Sequence, residues 1–312
     1  MKRVPDPLAS WWQRRAAWPA LAPADLAARK AGRSVSVVVP ARDEADTVAG
    51  VVAPLVQELV PAGLVDEVLV VDGRSTDGTA VLAAEAGARV VTVPEQLDGR
   101  ALSGKGGALW WGQQQAAGDL LVFLDADVAP SHARSVTALL TPLLVEPAVR
   151  FVKAAFDRPL TVGGVLHRGS GGRVTEMTAR PLINAWWPQL AGFVQPLSGE
   201  LAATRELLAQ LPFATGYGLE IGMLVDVLHL AGIDAMAQVD IGERHHRHHS
   251  DDVLGRMAAE VLAAALARHP AGPHADQLVQ FQREGEGFGR RTSAVAVTSL
   301  PPVATLPVRR AS

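Results

Sequence analysis

Asp125 and Asp127 stand two residues apart at the end of LLVFLDADV, residues 120–128, an apolar run that stops at the two carboxylates. In an extended segment, side chains two apart point the same way. Two convergent carboxylates suit Mg²⁺ or Mn²⁺, hard cations that take oxygen ligands; Mg²⁺ in particular leaves its remaining positions to water and substrate phosphates. An Asp-rich turn is the other reading of the same string, because Asp also favours turns and helix N-caps. The company these residues keep is therefore what matters.

Four other stretches carry chemistry. Gly99 to Lys105 matches the first seven positions of a phosphate-binding P-loop, but Gly106 stands where Ser or Thr must supply a hydroxyl to Mg²⁺. A P-loop is set aside on that ground, while Lys105 between glycines still suits a cation that reaches a diphosphate. GSGGRVTE, residues 169–176, exposes glycine N–H groups ahead of a helix, and Arg173 adds a fork of donors for an anion. FATGYGLE places Tyr217 and Glu220 on a turn and the first coil of the next helix. ERHHRHHS, residues 243–250, holds His245, His246, His248 and His249. A tetrahedral zinc site there needs one or two ligands from elsewhere. One histidine on the aspartates' cation, with Arg244 and Arg247 on phosphate, is a second reading, and a solvated polar loop is a third.

Elements must bring these groups together. VSVVVP (35–40), EVLVVD (67–72), RVVTV (89–93) and the Leu120 run read as buried strands, each followed or preceded by a helical stretch. Strands alternating with helices predict an α/β fold with a parallel, doubly wound sheet. Ligands in such sheets bind beyond the carboxyl ends of the strands. Three of the four strands end there in polar chemistry: Arg42–Asp43–Glu44, Asp72 with STDGT, and Asp125 with Asp127. Asp72 and Glu44 suit the hydroxyls and base of a nucleotide, and equally suit helix capping. Further on, VRFVKAAF (149–156) and AMAQVDIG (235–242) predict strands, whereas LAATRELLAQL (201–211) predicts a helix after the turn PLSGE. Residues 1–33 predict one or two short helices outside the fold, and the tail from 284 reads as flexible.

Composition narrows the class. A net charge of −3 gives no case for nucleic acid, and the absence of cysteine excludes disulfides and thiolate sites. No run of eighteen apolar residues occurs and no signal-peptide core develops, so a cytoplasmic protein with no membrane partner is expected.

With these residues assembled, the chain resembles the retaining GT-A glycosyltransferases that make glucosyl-3-phosphoglycerate in actinobacteria. The resemblance rests on VSVVVPARDEADTV, GKGGALW, VFLDADV, GGRVTEMTARPL, QPLSGELAATRELL, LPFATGYGLEIGML and AQVDIGERHHR, and spans about Ala17 to Gln282. It implies a GT-A fold, with a nucleotide-sugar-binding domain over 34–160, an acceptor-binding region over 161–283 and a tail over 284–312. It implies a divalent cation, a nucleotide-diphosphate sugar such as UDP-glucose, 3-phosphoglycerate as acceptor, and a homodimer. By matching position, Pro40, Ala41, Glu44, Gly73 and Ala126 hold the nucleotide sugar, with Lys105 and Arg244 near the diphosphate. Asp125, Asp127 and His246 are the implied metal ligands, and Glu220 lies beside the transferred sugar. Gly172, Arg173, Thr175, Tyr217, His248 and His249 fall in the acceptor site. Gly73 departs from a family Ser that contacts the base, and His248 and His249 depart from an Asn and an Arg at the acceptor. Mannosyl transfer from a GDP-sugar, a GT-A enzyme acting on another phosphorylated acceptor such as a lipid phosphate, and a non-catalytic sugar-nucleotide binder are the alternatives.

Overall fold

The structure is a computed structural model describing residues 7–16, 18–19, 21–127, 132–157, 160–162, 165–167, 172–244, 250–269, 277–284, 287–294 and 297–306. A seven-stranded sheet runs through it in the order Met236–Glu243, Phe151–Asp157, Leu201–Thr204, Leu120–Phe123, Val35–Ala41, Glu67–Asp72, Arg89–Thr92. All neighbours are parallel except Leu201–Thr204, which is antiparallel to both of its partners.

Why these segments form strands is visible in which way their side chains go. Val38, Leu69, Val71, Leu121 and Phe123 enter one apolar cluster with the helices Gly104–Gln115 and Leu219–Ala231. Their immediate neighbours Val37, Val39, Val68, Val70, Leu120 and Val122 enter a second cluster with the helices Val48–Pro54 and His132–Val145. Alternate residues thus feed opposite faces, and a strand covered on both faces is a near-continuous apolar run.

Three expectations change. LAAT, expected at the start of a helix, is the antiparallel strand, and only Arg205–Leu208 is helical. Leu and Ala are strong helix formers, but here a slot between two strands, closed on both faces, selects small apolar side chains and overrides propensity. The expected boundary at 160 does not divide the sheet, because Leu201–Thr204 and Met236–Glu243 are two of its strands. Finally, part of the expected flexible tail docks on the body. Leu300 is buried, the Trp110 indole N–H donates to the Pro301 carbonyl at 2.9 Å, and Thr215 N–H donates to the Thr298 carbonyl at 3.0 Å. Gln277–Glu284 and Gly287–Ala294 pair as a hairpin.

The N-terminal helices are present as Pro7–Arg15 and Pro23–Ala28. Trp11 fastens the first, its N–H shared by the Ile233 and Met236 carbonyls at 3.1 Å and its ring 4.9 Å from that of Phe193. Among the described residues, no helix is long and apolar enough to cross a membrane.

Candidate active site

The exits of three adjacent parallel strands form one end of the sheet. Val35–Ala41 lies between Glu67–Asp72 and Leu120–Phe123, with Ala41 level with Asp72 and Val38 level with Phe123. Continuing that register brings Asp125 level with Pro40, so the expected nucleotide and metal residues share one rim. The loops leaving the first two strands hold each other. Gly73 N–H donates to the Ala41 carbonyl at 2.7 Å, Glu44 N–H to Thr79 Oγ1 at 2.8 Å and Thr76 N–H to Asp43 Oδ1 at 2.8 Å. Asp72 accepts from the Arg74 and Ser75 N–H groups and so closes the turn after its strand; it does not cap the Thr79–Glu85 helix, whose N-cap is Gly78. At Gly73 an added Cβ would lie 3.1 Å from Arg42 Cβ, and a serine there requires that side chain to give slightly.

Lys105 is the centre of the site. It sits in the first turn of the Gly104–Gln115 helix and its ammonium pairs with Asp125 and, at 3.3 Å, with Glu220 Oε1. Burial disfavours its charge, but Asp125 and Glu220 outweigh burial and hold its pKa above the ordinary lysine value. Glu220 is buried in the first turn of Leu219–Ala231, as its place after GYG implied. Asp125 is half-buried, Ala126 is buried and Asp127 is exposed.

Glycines set the Lys105 segment against residues 214–216. Gly104, at φ +64°, has Gly216 N 3.6 Å from where its Cβ would be. A Cβ on Gly106 would lie 2.1 Å from the Ala214 carbonyl oxygen. This is the physical reason that no Ser or Thr completes a P-loop here. Alanine in a helix gains about 1 kcal/mol over glycine, yet contact with rigid backbone at that distance outweighs it. Gly106→Ala is therefore expected to destabilise by about 1–3 kcal/mol, read as a lower Tm in thermal unfolding; an unchanged or higher Tm would show that the two segments are free to separate.

Of the residues expected at the acceptor, Gly172 takes φ +83°, Arg173 pairs with Asp251 at 2.5 Å, and Thr175 is buried. Tyr217 is 44% exposed, and its N–H donates to Glu260 Oε2 at 2.8 Å. Asp251 and Glu260 both belong to the helix Asp251–Leu266, which thus holds both Arg173 and the Tyr217 turn. His246, His248 and His249 lie outside the described residues.

Arg244, expected near the diphosphate, has buried partners: its side chain is 2% exposed, pairs with Glu200 Oε2 at 3.3 Å and donates to Ser135 Oγ. Burial raises the Glu200 pKa to about 7 against the opposing pull of Arg244. Sequence reasoning also missed Lys153 and Gly199. Lys153 is 1% exposed, and a Cβ on Gly199 would lie 1.8 Å from Lys105 Nζ and 2.6 Å from Asp125 Oδ1. A charged residue inside FVKAAF was the available signal for the first; PLSGE read only as a turn.

Asp125 and Asp127 fit a hard divalent cation in donor chemistry, since both offer carboxylate oxygens. Among the described residues no group of three His, Asp or Glu side chains is gathered.

Residues 36–188 match the family model described as Glycosyl transferase family 2. Glucosyl-3-phosphoglycerate synthase of Mycolicibacterium paratuberculosis is 43% identical over 304 residues, covering 94% of this chain and 91% of that protein. The crystal structure of mannosyl-3-phosphoglycerate synthase from Rubrobacter xylanophilus matches with a TM-score of 0.86 at 39% identity, over 96% of this chain and 98% of the other. That of glucosyl-3-phosphoglycerate synthase from Mycobacterium tuberculosis with Mn²⁺, UDP-glucose and phosphoglyceric acid matches with a TM-score of 0.80 at 40% identity, over 93% and 98%.

Proposed function

The chain belongs to the glucosyl-3-phosphoglycerate synthase family, and from that membership we propose that it is a metal-dependent retaining glycosyltransferase moving glucose from UDP-glucose to 3-phosphoglycerate. The observation that carries this reading is the contact of Lys105 with both Asp125 and Glu220 at the strand exits. A divalent cation, Mg²⁺ or Mn²⁺, is held in this reading by Asp125, Asp127 and His246 and supplies Lewis-acid neutralisation of the diphosphate.

The chain's own groups do the rest. Pro40, Ala41, Glu44, Gly73 and Ala126 seat the nucleotide sugar on the cross-linked loops of the rim. Lys105, whose pKa is raised, keeps a fixed positive charge where the leaving diphosphate gains negative charge. Glu220, anchored by Lys105, lies beside the transferred sugar. Gly172, Arg173, Thr175 and Tyr217, with His248 and His249, hold the phosphate and carboxylate of the acceptor. Attack on the face the diphosphate leaves gives retention, and the departing phosphate takes the acceptor's proton. Homodimerisation and a cytoplasmic location belong to the same proposal, the first supported by the apolar helix Asp251–Leu266.

The likeness to a mannosyl-3-phosphoglycerate synthase favours a second reading, with GDP-mannose as donor. Gly73, at the expected base contact, makes the donor the point to test. UDP-glucose, GDP-mannose and ADP-glucose offered with 3-phosphoglycerate, and products read by mass, decide it. Hexosyl-phosphoglycerate from UDP-glucose with the highest kcat/KM is the expected result. Preference for GDP-mannose would reassign the donor, and no product from any pair would leave a non-catalytic binder.

A further inference from the structure

A lysine in the middle of a buried strand needs a reason. FVKAAFD (151–157) lies between two other strands, and its remaining side chains through Phe156 are buried and all apolar. An ammonium taken out of water costs several kcal/mol, and an apolar side chain of similar volume is often neutral or stabilising in its place. Packing therefore does not account for Lys153.

Its contacts do. The Lys153 ammonium donates to the Ser198 carbonyl at 2.6 Å, at the start of the turn Ser198–Gly199–Glu200. The other end of the turn is tied to the same strand, since Ala154 N–H donates to the Glu200 carbonyl at 3.0 Å. Ser198 Oγ accepts from Glu200 N–H at 3.2 Å and closes the turn on itself. Between these ties, Gly199 lies against the Lys105–Asp125 pair, so closely that a Cβ there would displace the two side chains. Burial lowers the Lys153 pKa to about 8, with Glu220 and Asp125 favouring its charge and Lys105 opposing it.

We propose that Lys153 is a positioning residue for the transfer reaction: by holding the Ser198 carbonyl it presses the Gly199 turn against Lys105 and Asp125 and fixes that pair in register for the donor's diphosphate. The proposal rests on the reading of Lys105 and Asp125 as the diphosphate and metal groups. It separates donor from acceptor, because Lys153 and the turn bear on Lys105 and Asp125, whereas Arg173 and the Tyr217 backbone are tied to Asp251 and Glu260 of the Asp251–Leu266 helix.

Lys153→Met tests it, with UDP plus Mn²⁺ and 3-phosphoglycerate each titrated by calorimetry, alongside kcat and Tm. The expected result is a loss of about 10–100-fold in kcat and in UDP–Mn²⁺ affinity. Phosphoglycerate affinity should stay within about twofold, and Tm should be unchanged or higher because a buried charge has gone. Both ligands weakened alike, or both bound as in the wild type, overturns the role. Should the methionine variant not fold, Lys153→Arg keeps a donor for the Ser198 carbonyl. UDP–Mn²⁺ affinity within about threefold of wild type then supports the proposal, and equal weakening of both ligands overturns it. Wild-type protein that neither binds UDP nor transfers sugar would instead sink the functional reading itself.

Discussion

Asp127→Ala is expected to leave the fold intact and to lower sugar transfer by at least about 10²-fold, the scale of losing one preorganised electrostatic contact to a developing charge. The fold should survive because Asp127 is exposed just beyond the Leu120–Phe123 strand, and neither apolar cluster includes it. Activity should not survive, because the two carboxylates at that exit are the oxygen donors available to a hard cation at the rim. The measurement is transfer rate with and without a chelator, together with the far-UV spectrum and Tm. Chelation should silence the wild type and Mn²⁺ should restore it, while added Mn²⁺ leaves the variant slow. Transfer near the wild-type rate in both the chelated protein and the variant would remove the metal from the reaction.

Arg244→Met carries the largest expected effect on stability. Arg244 and Glu200 are each 2% exposed, so the pair has almost no solvent to screen it. Removing one partner of such a pair costs about 3–5 kcal/mol, because the other charge stays buried and uncompensated. Glu200 already resists ionisation: burial raises its pKa from 4.5 to about 7, although Arg244 pulls the other way. Between about pH 4.5 and about 7 the folded chain therefore binds this proton more tightly than the unfolded chain, and stability falls as pH rises through that window. Without Arg244 the folded pKa rises further and the window extends upward. The variant's deficit against wild type should thus be larger at pH 8 than at pH 6, measured by urea unfolding at both. Adding Glu200→Gln should recover much of the loss and flatten the pH response. A deficit within about 1 kcal/mol at both pH values would mean that water reaches the pair.

The local character of a residue string decides which parts of this protein are legible without coordinates. VSVVVP, EVLVVD and LLVFLDADV announce themselves because strands covered on both faces read as near-continuous apolar runs. The carboxylates at their exits follow directly, and with them the rim that holds Pro40, Glu44, Asp125 and Asp127. Tyr217 and Glu220 are equally plain, since GYG before an apolar periodic run marks a turn and a helix start. Tertiary structure alone decides the rest, because there the meaning of a residue depends on a partner far along the chain. Lys153 meets a carbonyl 45 residues away, and Arg244 meets a hydroxyl 109 residues away. LAAT has helical propensity and becomes a strand only because a slot in the sheet is waiting. Gly106 and Gly199 have no side chain by which a string could flag them, and the need for that absence is set by the Ala214 carbonyl and by the Lys105–Asp125 pair. Apolar periodicity and polar strand ends are properties of a segment; burying a charge, or forbidding a Cβ, is a property of what packs against it.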